Sequence, residues 1–265
     1  MKNMQVFSGL ALAASLAIPA MGHAATRPAM VGGIVMGQAA DGQLQTDVQK
    51  KLGNGKFKNV TVAVQNGQVT LTGTVELYQA KMDADNKAHH VKGVKGVDNE
   101  IQVEGKDVPD AQLQQSLGKK LAYDRIGWPD NAFNNITLSV SNGVATLGGN
   151  TAVPWAKESA LSVAQNTPGV KDVIDEITVD PTAPMDDQTR MATYRAVYGQ
   201  PALNKYAIDP VKPIRITVIN GNVTLNGVVD SQMDKDIAGI QANKVPGVFK
   251  VTNNLIVANQ ANEKR

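Results

Sequence analysis

The sequence predicts an α+β fold made three times over. It consists of tandem units ordered helix–strand–strand–helix–strand, each a small three-stranded sheet packed on one side by two helices. Two observations carry this reading. The first is spacing: Asn66-Gly67, Asn142-Gly143 and Asn220-Gly221 are each followed, seven residues after the asparagine, by Gly73, Gly149 and Gly227. Twenty residues further on come Gly93-Val94, Gly169-Val170 and Gly247-Val248. Identical spacing in three places is the mark of a repeat. The second is period: on both sides of every Asn-Gly, apolar residues alternate with polar ones, as in a strand with one face buried.

Within a unit, the first helix is read from Leu44, Val48 and Leu52, and from Leu113, Leu117 and Leu121, at i, i+4 and i+8 on one helix face. Met191, Tyr194 and Tyr198 take this place more loosely in the third copy. The hairpin follows. Val60, Val62 and Val64 lead into the first Asn-Gly, and Val69, Leu71 and Val75 lead away from it. Ile136, Leu138 and Val140 with Ala145 and Leu147, then Ile214, Ile216 and Val218 with Val223, Leu225 and Val229, repeat the arrangement. Asn-Gly suits a type I′ turn, which needs positive φ at both central residues.

The second helix is predicted over 77–92, 154–166 and 231–244, with alanines four apart forming one narrow stripe: Ala84/Ala88, Ala160/Ala164 and Ala238/Ala242. Small side chains there let the helix sit close on the sheet. Gly93, Gly169 and Gly247 are expected to end it as left-handed C-caps. A third strand is carried by Val97, Ile101 and Val103, by Val173, Ile177 and Val179, and by Val251, Leu255 and Val257. The units are placed at 41–105, 110–180 and 186–259, with a tail at 260–265 and short proline-bearing linkers between them. Units of this size are marginal alone, so packing against one another is expected.

The N-terminus predicts export. Lys2 precedes an uncharged apolar run at 6–18, Pro19 breaks it, and small residues follow, the pattern of a Sec-type signal peptide over 1–24, cleaved after Ala24 or Ala25. About 13 apolar residues are too few to span a bilayer, which takes about 20. The remainder is expected to be soluble and periplasmic, with a flexible segment at 25–40. Cysteine is absent, which excludes disulfides, thiolate metal sites, a catalytic thiol and a lipid-anchor cysteine. A net charge of +2 argues against nucleic acid as partner. With aromatics at only 4%, the cores must be built from Val, Ile, Leu and Ala.

The hairpin Asn-Gly, the Val-x-Leu-x-Gly after it (Val69 to Gly73; Val223 to Gly227) and the Gly-Val-led third strand (Gly93 to Val103; Gly247 to Val257) together resemble the BON domain family of OsmY-like periplasmic proteins. The second copy departs from the pattern at Ala145. The resemblance covers about 41 to 259 and implies a periplasmic, non-enzymatic binding protein associated with envelope or osmotic stress. On that reading it contacts phospholipid or envelope surfaces through tandem domains. The alternative it leaves open is a chaperone, holdase or adaptor for exported proteins without lipid contact. Neither implies a cofactor or a small-molecule substrate. Relatives anchored in the outer membrane carry a lipidated cysteine, which this chain lacks.

For chemistry the sequence offers little. His89 and His90 are adjacent on a predicted helix and point about 100° apart, so they cannot share a metal facially. Asp85 and His89, four apart, could pair. Neither position recurs as a ligand in the other copies. Lys81, Lys157 and Lys235 do recur, eight residues after the second glycine of each copy and about 60° from the alanine stripe. The lysine stem could cover the sheet edge while its ammonium reaches water, or the cation could meet anionic headgroups. Trp155, and Trp128 with Phe133 in an insertion at 122–135, are further candidate membrane or partner contacts, as is Tyr206 in the third copy's insertion at 199–213. Charge also differs between copies. Residues 41–105 carry 8 basic and 8 acidic side chains, 106–180 carry 6 and 9, and 181–265 carry 10 and 7. The second and third copies should therefore attract one another, or the third should meet an anionic surface. Oligomeric state is left open.

Overall fold

A computed structural model of the chain describes residues 32–124, 131–181, 183–210 and 212–258. The expected signal peptide, Trp128 and the 260–265 tail lie outside the described residues. Unit one runs α1 (Gly32–Leu52), β1 (Val60–Gln65), β2 (Gln68–Val75), α2 (Tyr78–His89), β3 (Gly96–Asn99) and β4 (Gln102–Val103). Unit two repeats this as α3 (Asp110–Tyr123), β5 (Asn135–Ser141), β6 (Val144–Thr151), α4 (Pro154–Gln165), β7 (Asp172–Asp175) and β8 (Thr178–Val179), with a 3₁₀ turn at Asn131–Phe133. Unit three is α5 (Pro184–Tyr198), α6 (Lys205–Ile208), β9 (Arg215–Ile219), β10 (Asn222–Asn226), β11 (Val228–Val229), α7 (Gln232–Asn243), β12 (Lys250–Asn253) and β13 (Ile256–Val257).

In each unit the middle strand pairs antiparallel with the first and parallel with the third. The hairpins turn on Asn66, Asn142 and Asn220, the non-glycine residues with positive φ among those described, each followed by a positive-φ glycine. The apolar alternation then closes one core per unit. Leu44, Val48, Leu52, Val62, Val69, Leu71 and Ile101 are buried in the first. The alanine stripe is one turn longer than expected, beginning at Ala80 and Ala156. In unit three the corresponding position is Asp234, which is buried as the alanines are.

Three local expectations are corrected. Helices α2, α4 and α7 stop before Gly93, Gly169 and Gly247, which are not caps. The chain leaves each helix through a second turn, closed by Val94 N–H to Val91 O, Val170 to Thr167 and Val248 to Val245 at 3.2 Å. Pro168-Gly169 and Pro246-Gly247 carry the proline-then-glycine signature of a type II turn, where the glycine supplies positive φ. The third strand is broken in every unit. Asn99 Oδ1 accepts from Ile101 N–H at 3.3 Å and its amide donates to the Lys81 carbonyl at 3.0 Å, so the strand bends toward α2. Asn253 does the same with Leu255 and Lys235. Finally, the 25–40 segment is helical from Gly32 onward, because once a helix is nucleated each added residue gains a hydrogen bond.

Two different joints connect the units. At the first, Tyr78 at the start of α2 packs on the second core. Burial, then the charge of Asp172, pushes its hydroxyl pKa up to about 12. At the second, the insertion ahead of β5 crosses into its neighbour: Ala132 and Phe133 belong to the third core. Phe133 meets Tyr194 edge-on at 6.0 Å, and Arg190 lies 5.8 Å over its ring. Arg215 donates to the Asn131 carbonyl, and the Asn150 amide reaches both Asp180 (2.8 Å) and Thr217 (3.2 Å). Arg190 comes within 3.9 Å of Asp180, an attraction between copies of the kind that the charge distribution suggests.

Candidate functional site

A carboxylate clamp, not foreseen from the sequence, presents the hairpin end of every unit. Asp41 accepts from the Asn66 and Gly67 amides at 2.6 and 2.9 Å. Asp110 takes the Asn142 and Gly143 amides at 2.6 and 2.8 Å, and Asp186 takes those of Asn220 and Gly221 at 2.8 Å each. The first helix is thereby tied to the turn. The three aspartates stand 25, 32 and 34 residues before their asparagines, so the insertions conceal the repeat. Asp186 is only 5% exposed. Asp186→Ala should lower unit-three stability by about 2–3 kcal/mol, since it leaves two shielded amides without a charged acceptor. For the more accessible Asp41 and Asp110 the loss should be about 1 kcal/mol, because water replaces the carboxylate. Denaturant titration with hydrogen exchange over 215–226 checks this, and an equal cost in all three units would refute it.

The recurrent lysines face the broken third strand. All three are half-buried beside it. Lys157 donates to Asp175 and to the Ile177 carbonyl, both at 2.8 Å, because aspartate replaces the asparagine of the other two units. Lys81 and Lys235 form no ion pair with another described residue. The aromatic candidates divide sharply. Trp155 at the start of α4 is 56% exposed, whereas Phe133 and Tyr206 are 5% and 2% exposed and present no surface. Phe133 is taken up by the joint with unit three. The Tyr206 hydroxyl donates to Asp234 at 2.6 Å and accepts from the Asp230 amide at 2.7 Å. The acid interrupting the alanine stripe at 234 was the available signal for that ring: a buried carboxylate needs a donor, and the insertion supplies it.

Lys205 completes this knot, 2.9 Å from Asp230 and 3.0 Å from Asp234. Its hydrogen bond holds the Asp230 carboxyl below the usual carboxylate range. Burial alone would raise Asp234, but donors from Tyr206 and Lys205 outweigh it and also lower that group. Both groups have folded pKa values below their unfolded ones. Their contribution to stability is therefore complete above the ordinary carboxylate pKa of about 4 and is lost as pH falls through the lowered values. Hydrogen exchange across 199–210 should quicken in acid for the native chain. An Asp234→Asn variant should show a flatter pH profile, and identical profiles would refute the assignment.

Chemistry-bearing groups are sparse. His89 and Asp85 form a pair at 3.5 Å, and His90 Nδ1 lies 2.6 Å from its own helix's Asn86 carbonyl. Among the described residues no group of three or more His, Cys, Asp or Glu side chains is placed to hold a metal ion, and no helix is long and apolar enough to cross a membrane. What the surface does carry is large apolar side chains, unevenly shared. Among the described side chains, unit one has no exposed large apolar group. Unit two has Tyr123, Trp155, Ile174 and Val179, and unit three has Met185, Ile208, Ile219, Met233, Ile240, Phe249 and Ile256.

An uncharacterized protein of Anaplasma centrale is 27% identical over 123 residues, which is 46% of this chain and 82% of that protein. CdsD, a structural protein of the type III secretion system of Chlamydia trachomatis, aligns over 84% of this chain and 96% of its own, at 17% identity and a TM-score of 0.22. Its C-terminal domain gives 16% identity over 83% of this chain, also with a TM-score of 0.22. The family model of the BON domain matches residues 40–105, 109–181 and 200–259. With one match on each αββαβ unit, together covering most of its length, the chain belongs to the BON domain family.

Proposed function

We propose that this is a periplasmic, non-enzymatic protein of the stressed cell envelope that binds phospholipid surfaces, chiefly through its third unit. BON domain proteins are typically periplasmic or envelope-associated and generally non-enzymatic. The observation that carries the finer reading is the uneven exposure of large apolar side chains: among the described residues, none in unit one, four in unit two and seven in unit three. All three units close a core of the same design, so core formation does not account for the larger number of apolar groups left outside the third. Residues 181–265 also hold 10 basic against 7 acidic side chains, which suits an anionic leaflet. Linked weak sites in the other units would add avidity.

Flotation of the chain with phosphatidylcholine vesicles, with and without phosphatidylglycerol, tests this. Binding should require the anionic lipid and weaken as salt rises. Absence of flotation at low salt would falsify the lipid reading. Suppressed aggregation of an unfolded outer-membrane protein in its place would favour a holdase.

A further inference from the structure

We propose that the hairpin end of unit three is an apolar wedge that enters the interfacial zone of an anionic bilayer; this rests on the lipid reading above and gives it a location. Three exposed side chains gather there: Phe249 (83%), Met185 (70%) and Ile219 (37%). The backbone holds them together. Asp186, next to Met185, accepts from the Asn220 and Gly221 amides at 2.8 Å, and Phe249 N–H donates to the Gly221 carbonyl at 2.9 Å. The Phe249 ring lies so closely over Gly221 that a Cβ there would come within 2.5 Å of it.

The other two units show that the fold does not require an aromatic at this place. Lys95 and Lys171 occupy the position of Phe249, their aliphatic stems lying over Gly67 and Gly143. Gln65 and Ser141 stand where Ile219 does, and Ala40 and Pro109 where Met185 does. The same turn thus carries three large apolar side chains where units one and two carry a lysine, a polar side chain and a small apolar one. Its surroundings are cationic. Lys250 follows Phe249, Lys244 caps the helix entering the loop, and both are exposed. The nearby acids are engaged, Asp186 by the turn amides and Asp187 by Arg190. An aromatic tip with lysines around it matches the depth profile of a bilayer interface, with rings at the headgroup level and cations over the charged surface. The clamped turn presents this tip without an ordering cost on binding.

Phe249→Lys tests the wedge with little risk to folding, since two units of this chain already carry lysine there. It also adds a positive charge, so purely electrostatic attachment would strengthen. The expected result is the opposite: partition onto phosphatidylcholine–phosphatidylglycerol vesicles falls about tenfold, while Phe249→Trp retains it. In the native chain, vesicles should slow hydrogen exchange at 219–222 and 247–250, a readout independent of any variant. If the native chain floats but Phe249→Lys floats as well or better, the wedge is wrong and the lipid reading survives. If the native chain does not float, both fail. Loss of self-association in Phe249→Lys with vesicle binding unchanged would assign the tip to a second copy and overturn the proposal.

Discussion

Gly73→Ala should cost unit one about 3–5 kcal/mol, enough to unfold a unit of this size in the native chain. Gly73 has φ +107°, and a Cβ built on it falls 2.0 Å from the Asn59 carbonyl oxygen, a backbone atom with no freedom to yield. Strain and collision therefore act together. Gly149 meets Asn135 O at the same 2.0 Å, and Gly227 meets Pro213 O at 2.5 Å, so the effect should recur in each unit. Gly118→Ala is the contrast. It lies within α3 with nothing near its would-be Cβ, and alanine there should stabilise by about 1 kcal/mol. Hydrogen exchange resolved by unit separates these outcomes. A Gly73→Ala chain with unchanged protection over 60–75 would sink the argument.

Phe133→Ala should destabilise unit three by about 3–4 kcal/mol although residue 133 belongs to unit two by sequence. Its ring is 5% exposed, meets Tyr194 edge-on and lies beneath Arg190, so alanine opens a cavity in the neighbouring core and removes the surface on which that guanidinium rests. Protection over 214–229 should fall most. Losses confined to 135–179 would show instead that the insertion serves its own unit.

Both predictions turn on features the sequence displayed without explaining. Gly73, Gly149 and Gly227 were visible as a repeat because they are local, at fixed distance from their hairpins. The reason for them, a carbonyl arriving from the start of the preceding strand, is a tertiary fact. Strands, helices and the alanine stripe were legible for the same reason: each is a periodicity within one element. Phe133 and Tyr206 were visible as aromatics in insertions, yet nothing local says whether such a ring turns outward or into a neighbour. Asp234 held the better clue for Tyr206. Asp41, Asp110 and Asp186 were missed because their partners lie across loops of unequal length, so no constant spacing betrays them. The wedge was missed for a related reason: Phe249, Ile219 and Met185 come from three separate segments and meet only around a turn.

The two joints between units have a consequence for assembly. An array in which every member grips the next by one repeated contact has no natural end, because the last member still offers what the first would accept. Here Tyr78 and α2 meet unit two by one rule, while Phe133 and the Asn150 amide meet unit three by another. The surface of unit three that receives Phe133 is already filled by this chain. Repetition of the fold thus stops short of repetition of the contact: the rule that joins units one and two is not the one that joins units two and three.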